Sequence, residues 1–241
     1  MSSVAATREI LIGDDDPGLP MDSLLIPRHY DGMIDSIMIS HGLIIDRIER
    51  MAQMIRNDYA ATTIHLLCVL KGGSAFFEDL CQQLRAIHRY SDRDYIPFTF
   101  DFIRVKSYSG IEFTGKVNVS GIDLSTLRGK HCLLVEDIID TGTTMTHLLP
   151  LIREATEVAS LKVATLLEKR TSRSCGFKAD YCGFSIPDKF VIGYNIDYNE
   201  AFRDMGHICV INQKGIDSFA GGLQGGGEKS GESANAAAAD K

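Results

Sequence analysis

The chain contains no Cys-x-x-Cys pair, no Gly-Lys-Ser/Thr loop, no internal repeat and no apolar run as long as a membrane span. Each absence removes a class. Its six cysteines, Cys68, Cys81, Cys132, Cys175, Cys182 and Cys209, are scattered. Cys68, Cys132 and Cys209 sit inside apolar strand-like runs, where cysteine acts as a small core residue. A disulfide or zinc framework is therefore not expected, and a reducing, cytoplasmic setting is. The seven histidines lack ligand spacing, so a metal cage made of protein side chains alone is not expected either. The opening "MSSVAATREILIGDDDPG" has no apolar signal core ahead of its charges, which argues against secretion. With no long apolar run, no membrane partner is expected. A formal charge of −7 disfavours nucleic acid and anionic membranes as partners, while leaving room for a local basic pocket.

What is present is enough apolar residue for one core and a small subdomain: 44% of 241 residues. Short apolar runs alternate with helical patterns. "TIHLLCVL" (63–70), "FTFDFIRV" (98–105), "HCLLVE" (131–136) and "KVATLLE" (162–168) read as buried strands, with shorter runs at 190–194 and 207–211. Ile44, Ile48, Met51, Ile55 and Tyr59 recur at steps of three or four and predict a helix over 42–59. Phe77, Leu80, Leu84 and Ile87 do so for 74–88, and Met145, Leu148, Leu149, Ile152 and Ala155 for 144–156. Near-continuous apolar strands alternating with helices predict an α/β fold with a parallel sheet covered on both faces. Ligands in such folds bind beyond the carboxyl ends of the strands. Residues 106–121, "KSYSGIEFTGKVNVSG", are polar and long for a connection, as lids are. From Gly221 the chain has almost nothing to bury, so residues 220–241 are expected to be a disordered Gly/Ala/Ser tail.

The chemistry gathers at the strand ends. In "VEDIIDTGTT" an apolar strand runs into Glu136 and Asp137, then Asp140, then Thr141, Gly142, Thr143 and Thr144 at the start of a helix. Unpaired N–H groups at a helix start, with the dipole behind them and hydroxyls beside them, suit a monophosphate. Thr-Gly-Thr-Thr alone would also serve as an ordinary helix cap. The acids favour the ligand: a ribose whose 5′-phosphate sat in the cradle would bring its 2′- and 3′-hydroxyls to Glu136 and Asp137. Asp140 would then face whatever the anomeric carbon carries. This apolar run followed by E-D-x-x-D-T-G-x-T resembles the phosphoribosyl-diphosphate signature of the type I phosphoribosyltransferases. Two further stretches resemble the purine salvage branch of that family. "LKGG" (70–73) ends a strand and opens a helix, where two glycines alone would mean a simple turn. "LLEKRTSRS" and "IPDKFVIGYNIDYNEAFRD" follow the later strands, where a snorkelling lysine, core apolar residues and a surface ion pair would be the plain reading of each residue. "DFIRVKSY", "DLSTLRGK" and "RHYDGMIDSIMISHGLIIDRIER" match as well, so the resemblance covers roughly residues 10–219.

The resemblance implies a twisted parallel sheet flanked by helices and one domain over residues 1–219. Its core would span about 42–184, a small hood about 10–41 and 185–219, and a mobile lid about 106–121. The implied reaction transfers the phosphoribosyl group of 5-phosphoribosyl 1-diphosphate to hypoxanthine or guanine, giving IMP or GMP and pyrophosphate, with Mg2+. Asp140 would be the general acid/base at the purine ring nitrogen. Glu136 and Asp137 would hold the ribose hydroxyls, and with Asp197 would be the residues near the metal. Ile138, Ile139 and Thr141 to Thr144 would complete the ribose-phosphate stretch. Lys169 would donate to the six-oxo group, Phe190 would stack on the base, and the Val191 backbone would read the purine edge. Lys71, Gly72 and Arg203 would meet the diphosphate. Ser107 and Tyr108 would belong to the closing lid. A non-proline cis bond at Leu70–Lys71, and a homodimer or homotetramer, are also implied. Thr143 departs from the lysine many relatives carry there, which removes one charge from the phosphate end. Two rival readings are weaker. A nucleotide-binding regulator of RNA or DNA sits poorly with the net charge and an intact Asp140, and a phospho-accepting receiver domain leaves everything after Lys169 unused.

Overall fold

The computed structural model describes residues 9–60, 62–89, 97–107 and 117–223. Its main sheet has seven strands: β1 (Ile10–Leu11), β3 (Ile64–Leu70), β4 (Phe98–Ser107), β5 (Val117–Ser120), β6 (His131–Ile139), β7 (Ser160–Arg170) and β8 (Tyr181–Pro187). Their order is β1-β8-β7-β6-β3-β4-β5. Every neighbouring pair is parallel except β4 and β5. A second sheet joins β2 (Ile34–Ile39), β10 (Ile208–Ile211) and β9 (Val191–Ile192) antiparallel.

Three long helices cover the main sheet: α1 (His41–Asp58), α2 (Ser74–Arg89) and α3 (Thr143–Ala155), and a short α4 (Gln213–Ser218) closes the described chain. The sheet's two faces have separate cores. On one, Leu66 and Cys68 of β3 pack with Ile44 and Ile48 of α1 and Phe77 and Leu80 of α2. On the other, Leu67 and Val69 pack with Met145, Leu148 and Ile152 of α3. Successive β3 side chains thus enter opposite layers, which is why that strand is apolar throughout. Tyr30, Ile37, Ile192, Phe202 and Cys209 build a third core under the smaller sheet.

The connections fix where a ligand can sit. The chain leaves β3 through α2 toward β4 on one side, and leaves β6 through α3 toward β7 on the other. Neighbours β3 and β6 are therefore a topological switch point, where the outgoing loops part and leave a crevice. The pairing deepens it: β6 pairs with β3 only as far as Val135 opposite Cys68, but with β7 on to Ile139 opposite Glu168.

Several boundaries differ from expectation. β6 runs three residues past Glu136, because β7 goes on pairing with it, so Glu136 and Asp137 lie inside the strand rather than beyond it. The segment 106–121, expected to be a lid throughout, contains the end of β4 and the strand β5, with Ser107 opposite Val117. Val117-Asn118-Val119-Ser120 alternates apolar and polar, the pattern of a half-buried strand. Residues 108–116, with Tyr108, lie outside the described residues, as does the expected tail from residue 224 on. Ile10–Leu11 pairs with β8 at the edge of the main sheet rather than joining the smaller one. The run at 190–194 shortens to Val191–Ile192, because the chain turns sharply from Gly193.

Candidate active site

The crevice beside the end of β6 has a volume of about 280 Å³. Glu136, Ile138, Ile139, Asp140, Thr141, Gly142 and Thr144 line it, with Val69, Leu70, Val105 and Met145 as apolar walls. Gly142 caps α3 with φ +81°, a conformation that favours glycine. A Cβ there would meet Phe177 Cβ at 2.8 Å, so packing also demands glycine. Thr141 holds the turn: its Oγ1 accepts from the Thr143 N–H at 3.3 Å and shares a hydrogen bond with Thr143 Oγ1 at 2.9 Å. Thr143 thus braces the turn and is not among the residues that line the crevice.

Glu136 and Asp137 point differently, as strand neighbours must. Asp137 is buried and accepts from the Ile138 N–H at 2.8 Å. It lies against the loop after β3: a Cβ on Gly72 would meet Asp137 Oδ2 at 1.8 Å. Burial, and next the adjoining Asp137, push the Glu136 carboxyl well above the usual carboxylate range. Burial pushes Asp137 up as well. Both acids are short of the solvation their charged forms need, which a cation or hydroxyl donors could supply.

Asp140 is held between two cations. Lys169, at the end of β7, is 9% exposed and places Nζ 3.3 Å from Asp140 Oδ2. Arg173 places its guanidinium 3.5 Å from Asp140 Oδ1 and 3.7 Å from Asp188. Because β6 and β7 are neighbours, an acid just past one strand and a lysine at the end of the other must meet. The sequence signals Arg173 only through the "KRTSR" charge pattern after a strand.

A third group surrounds the loop after β3, and Leu70–Lys71 is a cis peptide. Lys71 Nζ lies 2.8 Å from Glu200, Glu200 lies 3.2 Å from Arg203, and Arg203 lies 2.8 Å from Asp197. Asp197 also accepts from the Glu200 N–H at 2.7 Å. The hydrogen bonds from Lys71, and then from Arg203, hold the Glu200 carboxyl below the usual range. Glu200 and Asn195 were not anticipated. Their stretch makes two successive tight turns, with Tyr194, Asn195, Asn199 and Glu200 all at positive φ. Paired central residues at positive φ are what type I′ turns require, but only the asparagines announce it in sequence.

Phe190 is 48% exposed, with its ring edge-on to Tyr198 at 5.5 Å. Val191 is buried and pairs with Val210. Ser107 ends β4, two residues beyond the crevice wall at Val105. Among the described residues no three His, Cys, Asp or Glu side chains stand close enough to hold a metal, so Glu136, Asp137 and Asp197 do not form one cluster. Their oxygen donors fit a hard cation that takes the rest of its shell from substrate phosphates and water, as Mg2+ does.

Comparison with known proteins agrees with this geometry. Residues 37–199 match the phosphoribosyl transferase domain family. The hypoxanthine-guanine phosphoribosyltransferase of Rattus norvegicus is 52% identical over 207 residues, 86% of this chain and 94% of that protein. The Homo sapiens enzyme of that name is 52% identical over 213 residues, 87% of this chain and 97% of the other. The crystal structure of hypoxanthine-guanine phosphoribosyltransferase from Schistosoma mansoni in complex with IMP aligns with a TM-score of 0.74 at 36% identity, covering 88% of this chain and 99% of that one. With its parallel sheet, switch-point crevice and strand-end acids, the chain belongs to the hypoxanthine-guanine phosphoribosyltransferases of the phosphoribosyl transferase family.

Proposed function

We propose that the chain transfers the phosphoribosyl group of 5-phosphoribosyl 1-diphosphate to hypoxanthine and guanine, forming IMP and GMP and releasing pyrophosphate. One observation carries the reading. Asp140 lines the ribose-phosphate crevice and is also 3.3 Å from the buried Lys169 ammonium. A proton acceptor thus stands between a phosphosugar site and a donor suited to an oxo group. The Schistosoma mansoni relative was solved with IMP, the product this reading assigns.

The N–H groups at the start of α3 and the hydroxyls of Thr141 and Thr144 take the 5′-phosphate. Glu136 and Asp137 accept from the ribose hydroxyls. Asp140 removes the proton from the incoming purine nitrogen, a step typically worth ~10²–10⁴ in rate. Lys169 donates to the six-oxo oxygen, and its tie to Asp140 keeps both groups where the base must lie. Phe190 offers its exposed ring to the purine face and the Val191 backbone reads the edge. Lys71, the Gly72 backbone and Arg203 receive the diphosphate, exchanging Glu200 and Asp197 for it. Mg2+, when bound, neutralises the charge of the leaving diphosphate. Glu136, Asp137 and Asp197 are the oxygen donors this chain offers it. Ser107 and Tyr108 are assigned to the seal that keeps water from the reacting carbon.

A cytoplasmic setting and self-association as a homodimer or homotetramer belong to the same reading. All six cysteines are free thiols, and Phe100 and Phe102 of β4 are exposed apolar surface. Among the described residues no helix is long and apolar enough to cross a membrane. The test is pyrophosphate release from phosphoribosyl diphosphate with hypoxanthine, guanine, xanthine or adenine. Release with hypoxanthine and guanine but not adenine is expected. No release with either oxo-purine would overturn the proposal.

A further inference from the structure

We infer that Asn195 is a positioning residue for the diphosphate loop, acting through its side-chain amide on the carbonyls of Lys71 and Gly72. This rests on the reading of that loop as the diphosphate contact. Asn195 Nδ2 lies 2.7 Å from Lys71 O, 3.2 Å from Gly72 O and 2.6 Å from Ser74 Oγ. Two of these partners are carbonyls, which only accept. The amide nitrogen, not its oxygen, must therefore face the loop.

The backbone geometry says what such a tie does. A loop that binds an anion through N–H groups has its carbonyls turned the other way. Lys71–Gly72 is a trans peptide, so its C=O and N–H point in opposite directions. Lys71 O also accepts from Ser74 Oγ at 3.0 Å and the Ser74 N–H at 3.3 Å; the shorter bond from Asn195 adds the tie from outside the loop that fixes the direction of the Gly72 N–H. The Gly73 N–H is already committed to Val69 O at 3.2 Å, leaving the Gly72 N–H as the one to be aimed. Gly72 cannot escape sideways, since even a Cβ would run into Asp137. The backbone of the same residue is held as well: Arg203 Nη1 donates to the Asn195 main-chain carbonyl at 2.7 Å. The diphosphate loop and a diphosphate arginine are thus tied to one residue, the loop through its side chain and the arginine through its backbone.

Asparagine also has a plainer reason to be here, because φ at Asn195 is +70° and asparagine tolerates that region. Glycine tolerates it better. Asn195→Gly therefore keeps the turn and removes only the amide, while Asn195→Asp keeps size and turn but sets an acceptor against two carbonyls. The Michaelis constants for phosphoribosyl diphosphate and hypoxanthine, and in reverse for pyrophosphate and IMP, are measured in both variants and in Lys71→Ala. In Asn195→Gly the constants for phosphoribosyl diphosphate and pyrophosphate should rise about tenfold, the equivalent of ~1.4 kcal/mol and the scale of one or two hydrogen bonds. Those for hypoxanthine and IMP should stay within about twofold, well under that scale. Asn195→Asp should be worse on the same two constants. Unchanged diphosphate constants in Asn195→Gly, or all four rising together, overturn the inference. If Lys71→Ala raises the diphosphate constants while Asn195→Gly does not, the inference alone fails. If neither does, the reading of the loop fails with it.

Discussion

The two ends of this site are built by different means. The proposed ribose-phosphate end, residues 136–144, is one continuous piece of strand, turn and helix start. The proposed diphosphate and base end collects Lys71, Lys169, Arg173 and residues 188–203 from separate parts of the chain. At the first end, local backbone geometry does the positioning: Gly142 at positive φ and Thr141 bracing the turn shape the cradle within one short stretch. At the second end, ion pairs and side-chain amides do it, across separations of more than a hundred residues. A local turn tolerates little change and keeps its shape without ligand. A network of exposed and half-buried charges can be exchanged for a ligand of like charge, as a leaving diphosphate would require.

The largest expected effect falls where the two ends meet. Asp140→Asn should keep phosphoribosyl-diphosphate binding and lose turnover by roughly 10²–10⁴, the general acid/base contribution. Equal losses in binding and turnover would mean that Asp140 belongs to the cradle and not to the chemistry. Gly72→Ala tests whether the ends are coupled through the loop after β3. Its Cβ would overlap Asp137 Oδ2, and a displacement of about 1 Å can cost on the order of 10² in kcat/KM. Steady-state rates near wild type would show that the loop can move aside freely.

A smaller effect concerns pH. An acid whose pKa is raised in the folded chain binds its proton more tightly there than when unfolded. The stability it contributes is full below the ordinary carboxylate pKa and is lost as pH rises through the raised value. Glu136 and Asp137 both have raised values, so the stability these two contribute to the ligand-free protein should fall as pH climbs from about 4, against the opposite trend of lowered carboxyls such as Glu200. Glu136→Gln should flatten that fall, and at neutral pH should melt higher than wild type while binding phosphoribosyl diphosphate poorly. Melting curves across the range check both; identical pH profiles would mean that the acids are solvated. The smallest effect is expected at Glu200, which is exposed. Glu200→Gln should leave Tm within about a degree, since exposed ion pairs contribute little. A fall of several degrees would show that the charge network holds residues 195–203 against the loop after β3.

The sequence shows these two ends unequally. The sheet, the three long helices and the whole of 136–144 are legible because strand and helix periods and a single local motif carry them. β8 and β2 escape because Tyr181–Pro187 and Ile34–Ile39 mix polar residues into their runs and make no clean pattern. Arg173, Asn195 and Glu200 escape for another reason. Each looks like an ordinary surface residue until the chain folds and supplies its partner: Asp140 for Arg173, the Lys71–Gly72 carbonyls for Asn195, Lys71 for Glu200. Lys169, Phe190 and Asp197 could be picked out only because their order resembles a known family; singly, each had a plain structural reading.

In the proposed function, Lys169 reads the base while the 136–144 end holds the sugar phosphate. Lysine's ammonium can only donate, so it suits the six-oxo group of hypoxanthine and guanine and opposes the six-amino group of adenine. A site built around such a partner can reject the analogue lacking it by roughly 10⁴–10⁵. Lys169→Gln supplies an amide that can donate or accept. The deciding measurement is kcat/KM for hypoxanthine and for adenine in wild type and Lys169→Gln, at saturating phosphoribosyl diphosphate. A large fall is expected for hypoxanthine, little change for adenine, and so a narrower ratio between them. A ratio that stays fixed while both values fall together would contradict it, and would assign Lys169 to the fold or the phosphates.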